Sequence, residues 1–275
     1  METFKEAFTH KYPGYGKILQ YFKDSTGVEM TWENITKVRL IKFGNYLQQH
    51  IAPSSARQYC AKVRSVLNDY RDEEEADVPE FGKVLSLRNA AITRVYLTDK
   101  ELEAFCKVKP LSAVEKGVKE RFILSAFTGA RHSDAIRLDD TNIVDGNIVY
   151  ISQKTHVESV VPCKPIVREI LKHNLEIRNC AESTFNETLR SLCARAGITQ
   201  IVKCMKGIGE SKGEKYKYVT SHTGRRSFAT NLYLRGCDIY TISRMLGHTS
   251  VEMTANNYIC SPIRELSSNV MEYFK

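Results

Sequence analysis

Apolar residues recur along this chain at two periods. Leu40, Phe43 and Leu47, then Tyr59, Val63, Val66, Leu67 and Tyr70, fall at three- and four-residue steps, which predicts two helices that each bury one stripe. Thr31 or Thr36 can cap the first, and Pro53-Ser54-Ser55 restarts the chain for the second. From Asn142 to Ile151 the pattern becomes strand-like and contains the hairpin dipeptide Asp145-Gly146. Alternation resumes at Ser159-Val160-Val161-Pro162, so Lys154 is expected at the tip of a small antiparallel sheet.

Helix punctuation marks the C-terminal part. Thr98-x-x-Glu101, Ser112-x-x-Glu115 and Thr184-x-x-Glu187 each predict a capping box. Ala196-Gly197 and Gly236 end helices, the latter one running from Thr223 to Leu234; Asp238 starts one that runs through Met245; Gly247 breaks it; Ser250 caps a short helix carrying Tyr258. Gly207 to Gly213 lacks the Lys-Ser/Thr pair of a phosphate-binding loop and is expected to be a surface loop. Tyr216-Lys217-Tyr218-Val219 is expected as a short strand or extended link. The acidic run Arg71 to Glu75, then Pro79-Glu80-Phe81-Gly82, leads into linker-like composition up to about Arg94. The expected fold is therefore mainly α with a small antiparallel β-sheet in the C-terminal domain, divided into a helical domain at 1–90 and a second domain at 91–275. Ile263, Leu266, Val270 and Phe274 predict an amphipathic tail helix at its end.

Charge narrows the partner. A formal net charge of +8 over 275 residues implies an anionic partner, most simply nucleic acid. Arg57, Lys62 and Arg64 lie off the apolar stripe of their helix, either tracking a DNA backbone or forming a solvated basic face. The eight cysteines include no C-x-x-C pair, which points to reduced thiols and to neither a zinc knuckle nor a disulfide framework. No long uncharged apolar run occurs, and the polar start Met1 to Glu6 has no signal-like segment, so a soluble, cytoplasmic protein without a membrane partner is expected.

Candidate chemistry concentrates late in the chain. Ser221-His222-Thr223-Gly224-Arg225-Arg226, Leu246-Gly247-His248 and Asn256-Asn257-Tyr258 bring imidazoles, guanidinium groups and a phenol into one stretch. Upstream stand Thr128-Gly129-Ala130-Arg131 and the hairpin Lys154. Guanidinium forks match phosphate oxygens, and a phenol can attack phosphorus. In this order the motifs resemble the tyrosine recombinase (phage-type integrase) family, in which Tyr258 stands one residue further from the Leu-Gly-His histidine than usual. The turn before Tyr258 must absorb that extra residue.

The resemblance implies a two-domain clamp around duplex DNA, with a helical core-DNA-binding domain and a catalytic domain. It implies Tyr258 as nucleophile of a 3′-phosphotyrosyl intermediate and Arg131, Lys154, His222, Arg225 and His248 as its catalytic partners, with Arg226 among the DNA contacts. No metal or cofactor is implied, since cationic side chains take the Lewis-acid role. Implied partners are double-stranded DNA, a homo-tetramer on two sites joined by exchange of the C-terminal tail, and accessory DNA-bending proteins. A type IB topoisomerase, a metal-free ribonuclease and a catalytically silent DNA-binding protein are the competing readings. A covalent adduct separates the first from the other two, and strand exchange separates the recombinase from the topoisomerase.

Overall fold

Thr3 opens the first helix with a full capping box, its hydroxyl and the Glu6 carboxylate exchanging backbone N–H groups. The computed structural model describes residues 2–72, 79–87, 94–172, 180–206 and 209–260. The chain divides into two compact units, one of residues 1–92 and 205–211, the other of 93–204 and 212–275.

The first unit holds α1 (Phe4–Lys11), α2 (Lys17–Thr26), α3 (Lys37–His50) and α4 (Pro53–Asp72). Thr36, not Thr31, caps α3 by accepting from Arg39 N. Pro53 begins α4, where its missing N–H costs no intrahelical bond. Leu40, Phe43, Leu47, Val63 and Leu67 are buried with Phe4, Phe8 and Phe22, as the stripes require, whereas Tyr59 and Tyr70 are only half-buried.

The second unit is built on α5 (Asp99–Lys107), α6 (Ala113–Thr128) and the short α7 (His132–Ala135). A three-stranded antiparallel sheet follows, of β1 (Ile143–Val144), β2 (Asn147–Ile151) and β3 (Glu158–Pro162), with Tyr150 opposite Ser159. Beyond it come α8 (Pro165–Lys172), α9 (Glu182–Arg195), α10 (Ser221–Leu234), α11 (Ile239–Met245) and α12 (Val251–Asn257), and between α9 and α10 the chain forms the strand pair β4 (Ile201–Lys206) and β5 (Gly209–Glu214), part of which, residues 205–211, is counted with the first unit. Phe122 and Leu124 of α6 are buried with Phe105, Ile148, Phe185 and Leu189. α10 lies close along α6, because a Cβ on Gly224 would sit only 3.1 Å from Ser125 Cβ. No described helix is long and apolar enough to cross a membrane.

Several expectations need correction. The Thr98 box is complete, but Glu115 accepts from Leu111 N instead of closing a box on Ser112. Thr184 caps nothing: α9 starts at Glu182 after Ala181, so Thr184 lies inside the helix. The supposed surface loop contains β5, since an edge strand needs only its backbone for pairing and glycines leave no alternation to read. Lys215–Tyr218 is a 3-10 turn, held where the buried Lys215 Nζ meets Glu101 Oε2 at 2.6 Å. α10 begins at Ser221, two residues earlier than expected, as Thr223 Oγ1 accepts from Thr220 N. The tail helix from Pro262 to Lys275 lies outside the described residues.

Candidate active site

Arg225 is the centre of the constellation. Its side chain is fully buried on α10. Nη1 donates to Gly129 O at 2.5 Å, and Nη2 donates to Leu246 O at 2.6 Å and faces His248 Nε2 at 2.8 Å. One guanidinium thus ties the Thr-Gly-Ala-Arg segment to the Leu-Gly-His segment. Both segments turn on glycine: Gly129 has φ +70° and Gly247 φ +60°, and a Cβ on Gly129 would lie 2.8 Å from Phe228 Cδ1. No L side chain satisfies that backbone and that contact together.

The tautomer of His248 follows from its neighbours. Guanidinium can only donate, so Nε2 accepts and Nδ1 carries the hydrogen, given to Thr254 Oγ1 at 2.8 Å. Burial and the Arg225 and Arg131 charges push this imidazole down to about 3. His248 is neutral at neutral pH, and in this arrangement Nε2 accepts from Arg225 while the Nδ1 hydrogen points to Thr254.

Arg131 is buried at the start of α7 and shares a network with Asp134 and Ser152. Its Nη1 donates to Ser152 Oγ at 2.5 Å and lies 3.9 Å from Asp134 Oδ2, while Asp134 accepts from Ser152 Oγ and Gln153 N at 3.1 Å each. The carboxylate offsets one guanidinium charge and fixes the start of the hairpin turn. Lys154 is exposed in that turn, and the neighbouring Thr155 Oγ1 donates to Gly247 O at 3.0 Å, so the hairpin is tied to the Leu-Gly-His segment.

Tyr258 stands at the end of α12, where φ −121° takes it off the helical path. Its N–H donates to Thr254 O at 3.0 Å and its carbonyl accepts from Thr230 Oγ1 at 2.9 Å. The ring meets His248 at a centroid distance of 4.7 Å, and the Arg225 guanidinium lies 5.1 Å from the ring centre. The helix ends at Asn257, and the Tyr258 ring lies against the arginine. Arg94 Nη1 secures that helix end by donating to Asn257 O and Oδ1, each at 2.9 Å.

His222 is exposed on the first turn of α10. Desolvation, then the Arg226 charge, hold it below its ordinary value, with smaller effects from Glu182, Arg225 and Lys154. Arg226 is half-buried, and burial holds its guanidinium below the ordinary value, opposed by the Cys260 thiol and reinforced by the Arg94 charge. The structure therefore packs Arg131, Arg225, His248 and Tyr258 together, with Lys154 and His222 on exposed positions electrostatically within reach.

The three basic residues of α4 do not share one face. Arg57 and Arg64 line a groove of about 390 Å³ with Gln58, Ala61 and residues 85–87, and Arg64 Nη1 donates to Ser86 Oγ at 2.8 Å. Lys62 lies over the rings of Tyr12 and Tyr15 at 4.1 and 3.9 Å. Five residues separate it from Arg57, roughly 140° around a helix of 3.6 residues per turn.

Asp134, Ser152, Thr230, Thr254 and Arg94 are site residues the motifs did not single out. Only Asp134 had a signal, its position three after Arg131 on a helix start.

Residues 96–262 match the profile of the Phage integrase family. Over 159 residues the chain is 29% identical to the integrase of Escherichia phage P2, covering 58% of this chain and 41% of that protein. Over 206 residues it is 32% identical to the tyrosine recombinase XerD of Staphylococcus saprophyticus subsp. saprophyticus, covering 72% of this chain and 63% of that protein. The chain thus spans less than two thirds of the length of these curated relatives. In fold it is similar to XerH site-specific recombinase bound to palindromic difH substrate, with TM-score 0.67, 16% identity and coverage of 93% of this chain and 76% of that one. It is also similar to lambda integrase residues 75–356, a dimer bound to a COC′ core site, with TM-score 0.64, 16% identity and coverage of 94% and 96%.

Proposed function

This chain belongs to the phage integrase family, and we propose that it is a site-specific DNA recombinase that cuts and rejoins strands through a 3′-phosphotyrosine link. The observation that carries the reading is the Tyr258 phenol ring set against the buried Arg225 and His248, beside the Arg131 network. Tyr258 Oη attacks the scissile phosphorus, its proton passing to the exposed His222, whose lowered value keeps the ring neutral and able to accept. Arg131 and Arg225 stabilise the charge gathering on the non-bridging oxygens. The bond to the 5′-oxygen breaks, and Lys154 protonates that leaving oxygen. Attack of a 5′-hydroxyl on the phosphotyrosine reverses the steps, exchanging one ester for another without an external energy source.

The partner in this reading is double-stranded DNA, gripped by a helical core-binding domain at 1–90 and a catalytic domain at 91–275. The finer assembly is a homo-tetramer on two DNA sites, joined by exchange of the tail and assisted by DNA-bending proteins.

The test is to incubate the protein with a pool of randomised duplexes, collect detergent-resistant complexes and sequence the trapped strands. The expected result is enrichment of one recognition sequence, joined at its 3′-phosphate to Tyr258. Absence of any adduct, or attachment at another residue, refutes the reading. With the selected duplex, strand exchange between two sites separates recombination from simple relaxation, and deletion of residues 262–275 is expected to abolish exchange while sparing the adduct.

A further inference from the structure

The helix that leads to Tyr258 is lightly packed. Of the seven residues of α12 only Thr254 is buried, and a helix this short does not stand by itself. Polar ties hold it in place. At its start Ser250 Oγ accepts from Met253 N and Ser243 Oγ donates to Ser250 O, each at 3.3 Å. In its middle Thr254 Oγ1 accepts from His248 Nδ1 at 2.8 Å. Its end leaves carbonyls without intrahelical partners, and there stands Arg94, the second residue of the unit that begins at Thr93.

Arg94 reaches that end from 163 residues away in the chain. Its Nη1 donates to Asn257 O and Oδ1 at 2.9 Å each and lies 3.4 Å from Asn256 O. A guanidinium only donates and keeps its charge, which suits the negative end of a helix. Peptide groups are planar, so the direction of the Tyr258 side chain is set by the peptide plane before it and the one after it. Thr230 on α10 holds the second plane: its Oγ1 donates to Tyr258 O at 2.9 Å and accepts from Cys260 N at 3.1 Å. The first plane is held at Tyr258 N by Thr254 O, at 3.0 Å, and at Asn257 O by Arg94.

We infer that Arg94 is a positioning residue for Tyr258: by gripping the last carbonyls of α12 it fixes the peptide plane from which the phenol is aimed at the scissile phosphate. The inference rests on Tyr258 being the nucleophile. Arg94 touches none of the reacting atoms and acts through the backbone of Asn256 and Asn257. Its removal therefore leaves the Arg131 and Arg225 clamp in place and misdirects the attacking oxygen. The rival role is a direct phosphate contact, because the Arg94 charge also reaches Arg226, one of the expected DNA contacts.

The experiment compares Arg94→Ala, Arg94→Lys, Asn257→Ala and the double alanine variant with the wild type on the duplex selected by the wild-type protein. It reads duplex affinity across a salt series, the single-turnover rate of adduct formation and hydrogen exchange along the chain. Arg94→Ala is expected to bind within about twofold with an unchanged salt slope, yet to form the adduct about 10–100-fold more slowly, the effect of a slightly misplaced reacting group. Faster exchange is expected in residues 251–260 alone. Arg94→Lys keeps a cationic donor and is expected to recover part of the rate. Asn257→Ala is expected to lose less than Arg94→Ala, since the carbonyl contacts remain. The double variant is expected to be no slower than Arg94→Ala, because the amide oxygen has no partner once the guanidinium is gone.

An unchanged rate in Arg94→Ala overturns the inference. A salt slope lowered by about 1, with affinity lost for every sequence, overturns it in favour of a phosphate contact. Faster exchange throughout the second unit overturns it in favour of a role in fold stability. If Arg94→Ala does not fold, Arg94→Lys and Asn257→Ala carry the test, and a wild-type rate in both overturns the inference. Failure of the wild type to form any adduct refutes the catalytic reading instead, and is seen before any variant is made.

Discussion

His248 Nε2 accepts from Arg225 Nη2 at 2.8 Å, and burial, with that guanidinium charge beside the ring and the Arg131 charge in addition, governs how the imidazole titrates. The folded protein keeps His248 neutral down to about pH 3, whereas an unfolded histidine takes its proton near pH 6.5. Between those values the unfolded chain binds more protons, so the stability linked to His248 is complete above pH 6.5 and is lost as pH falls toward 3. The slope is at most about 1.4 kcal/mol per pH unit. Urea melts from pH 7 to pH 5 are expected to fall, and His248→Gln to reduce the slope without removing it, because burial and Arg121 hold His132 down to about 4 in the same direction. An equal slope in His248→Gln refutes the assignment.

Tyr258→Phe is expected to retain duplex binding and thermal stability while abolishing the adduct. The ring packing on His248 and the backbone bonds to Thr254 and Thr230 survive that substitution, and only the attacking oxygen is lost. A detergent-resistant complex formed by this variant, mapped by peptide mass to Tyr240 or any other residue, would sink the site assignment.

Elements whose side chains repeat with the backbone period were legible before the structure: the stripe of α3, the Asp145-Gly146 hairpin and the caps Asp238 and Ser250 all stand where the pattern puts them. Motif residues were legible because their chemistry is unusual in combination. What stayed hidden depends on contacts between distant segments. Thr254 matters only because α12 folds its hydroxyl onto His248, and Thr230 only because α10 passes the Tyr258 carbonyl. Neither leaves a local signal, since a buried threonine reads like any other β-branched core residue. The arrangement of Arg57, Lys62 and Arg64 around α4 was hidden for the opposite reason: exclusion from the apolar stripe leaves most of a helix circumference open, and Lys62 lies over Tyr12 and Tyr15.

That division of α4 predicts unequal effects on DNA affinity. Arg57→Ala and Arg64→Ala, on the groove face, are each expected to reduce the slope of log affinity against log salt by about 1 and to weaken all sequences alike. Lys62→Ala is expected to change the slope less and to lower melting temperature slightly, by removing two cation–π contacts. Affinities measured across a salt series check this. A larger slope change for Lys62→Ala than for both arginines would move the DNA face to the tyrosine side of the helix.

Lys154 offers the most direct test of proton delivery. Its turn is anchored on both sides, by Asp134 accepting from Gln153 N and by Thr155 Oγ1 donating to Gly247 O, while its own side chain stays exposed. An anchored base with a long, solvated side chain suits a group that must reach the 5′-oxygen as it departs. Lys154→Ala is expected to slow cleavage of an ordinary duplex by about 10²–10⁴-fold, the usual contribution of a general acid. Replacing the 5′-bridging oxygen by sulfur removes the need for that proton, because a thiolate leaves without one. The variant is therefore expected to recover most of its rate on the 5′-bridging phosphorothiolate duplex, while Arg225→Ala, which lacks the clamp for the non-bridging oxygens, is expected to recover little. Absence of rescue in Lys154→Ala would reassign it to DNA positioning and shift the search for the acid to Lys164, whose ammonium burial already holds below its ordinary value.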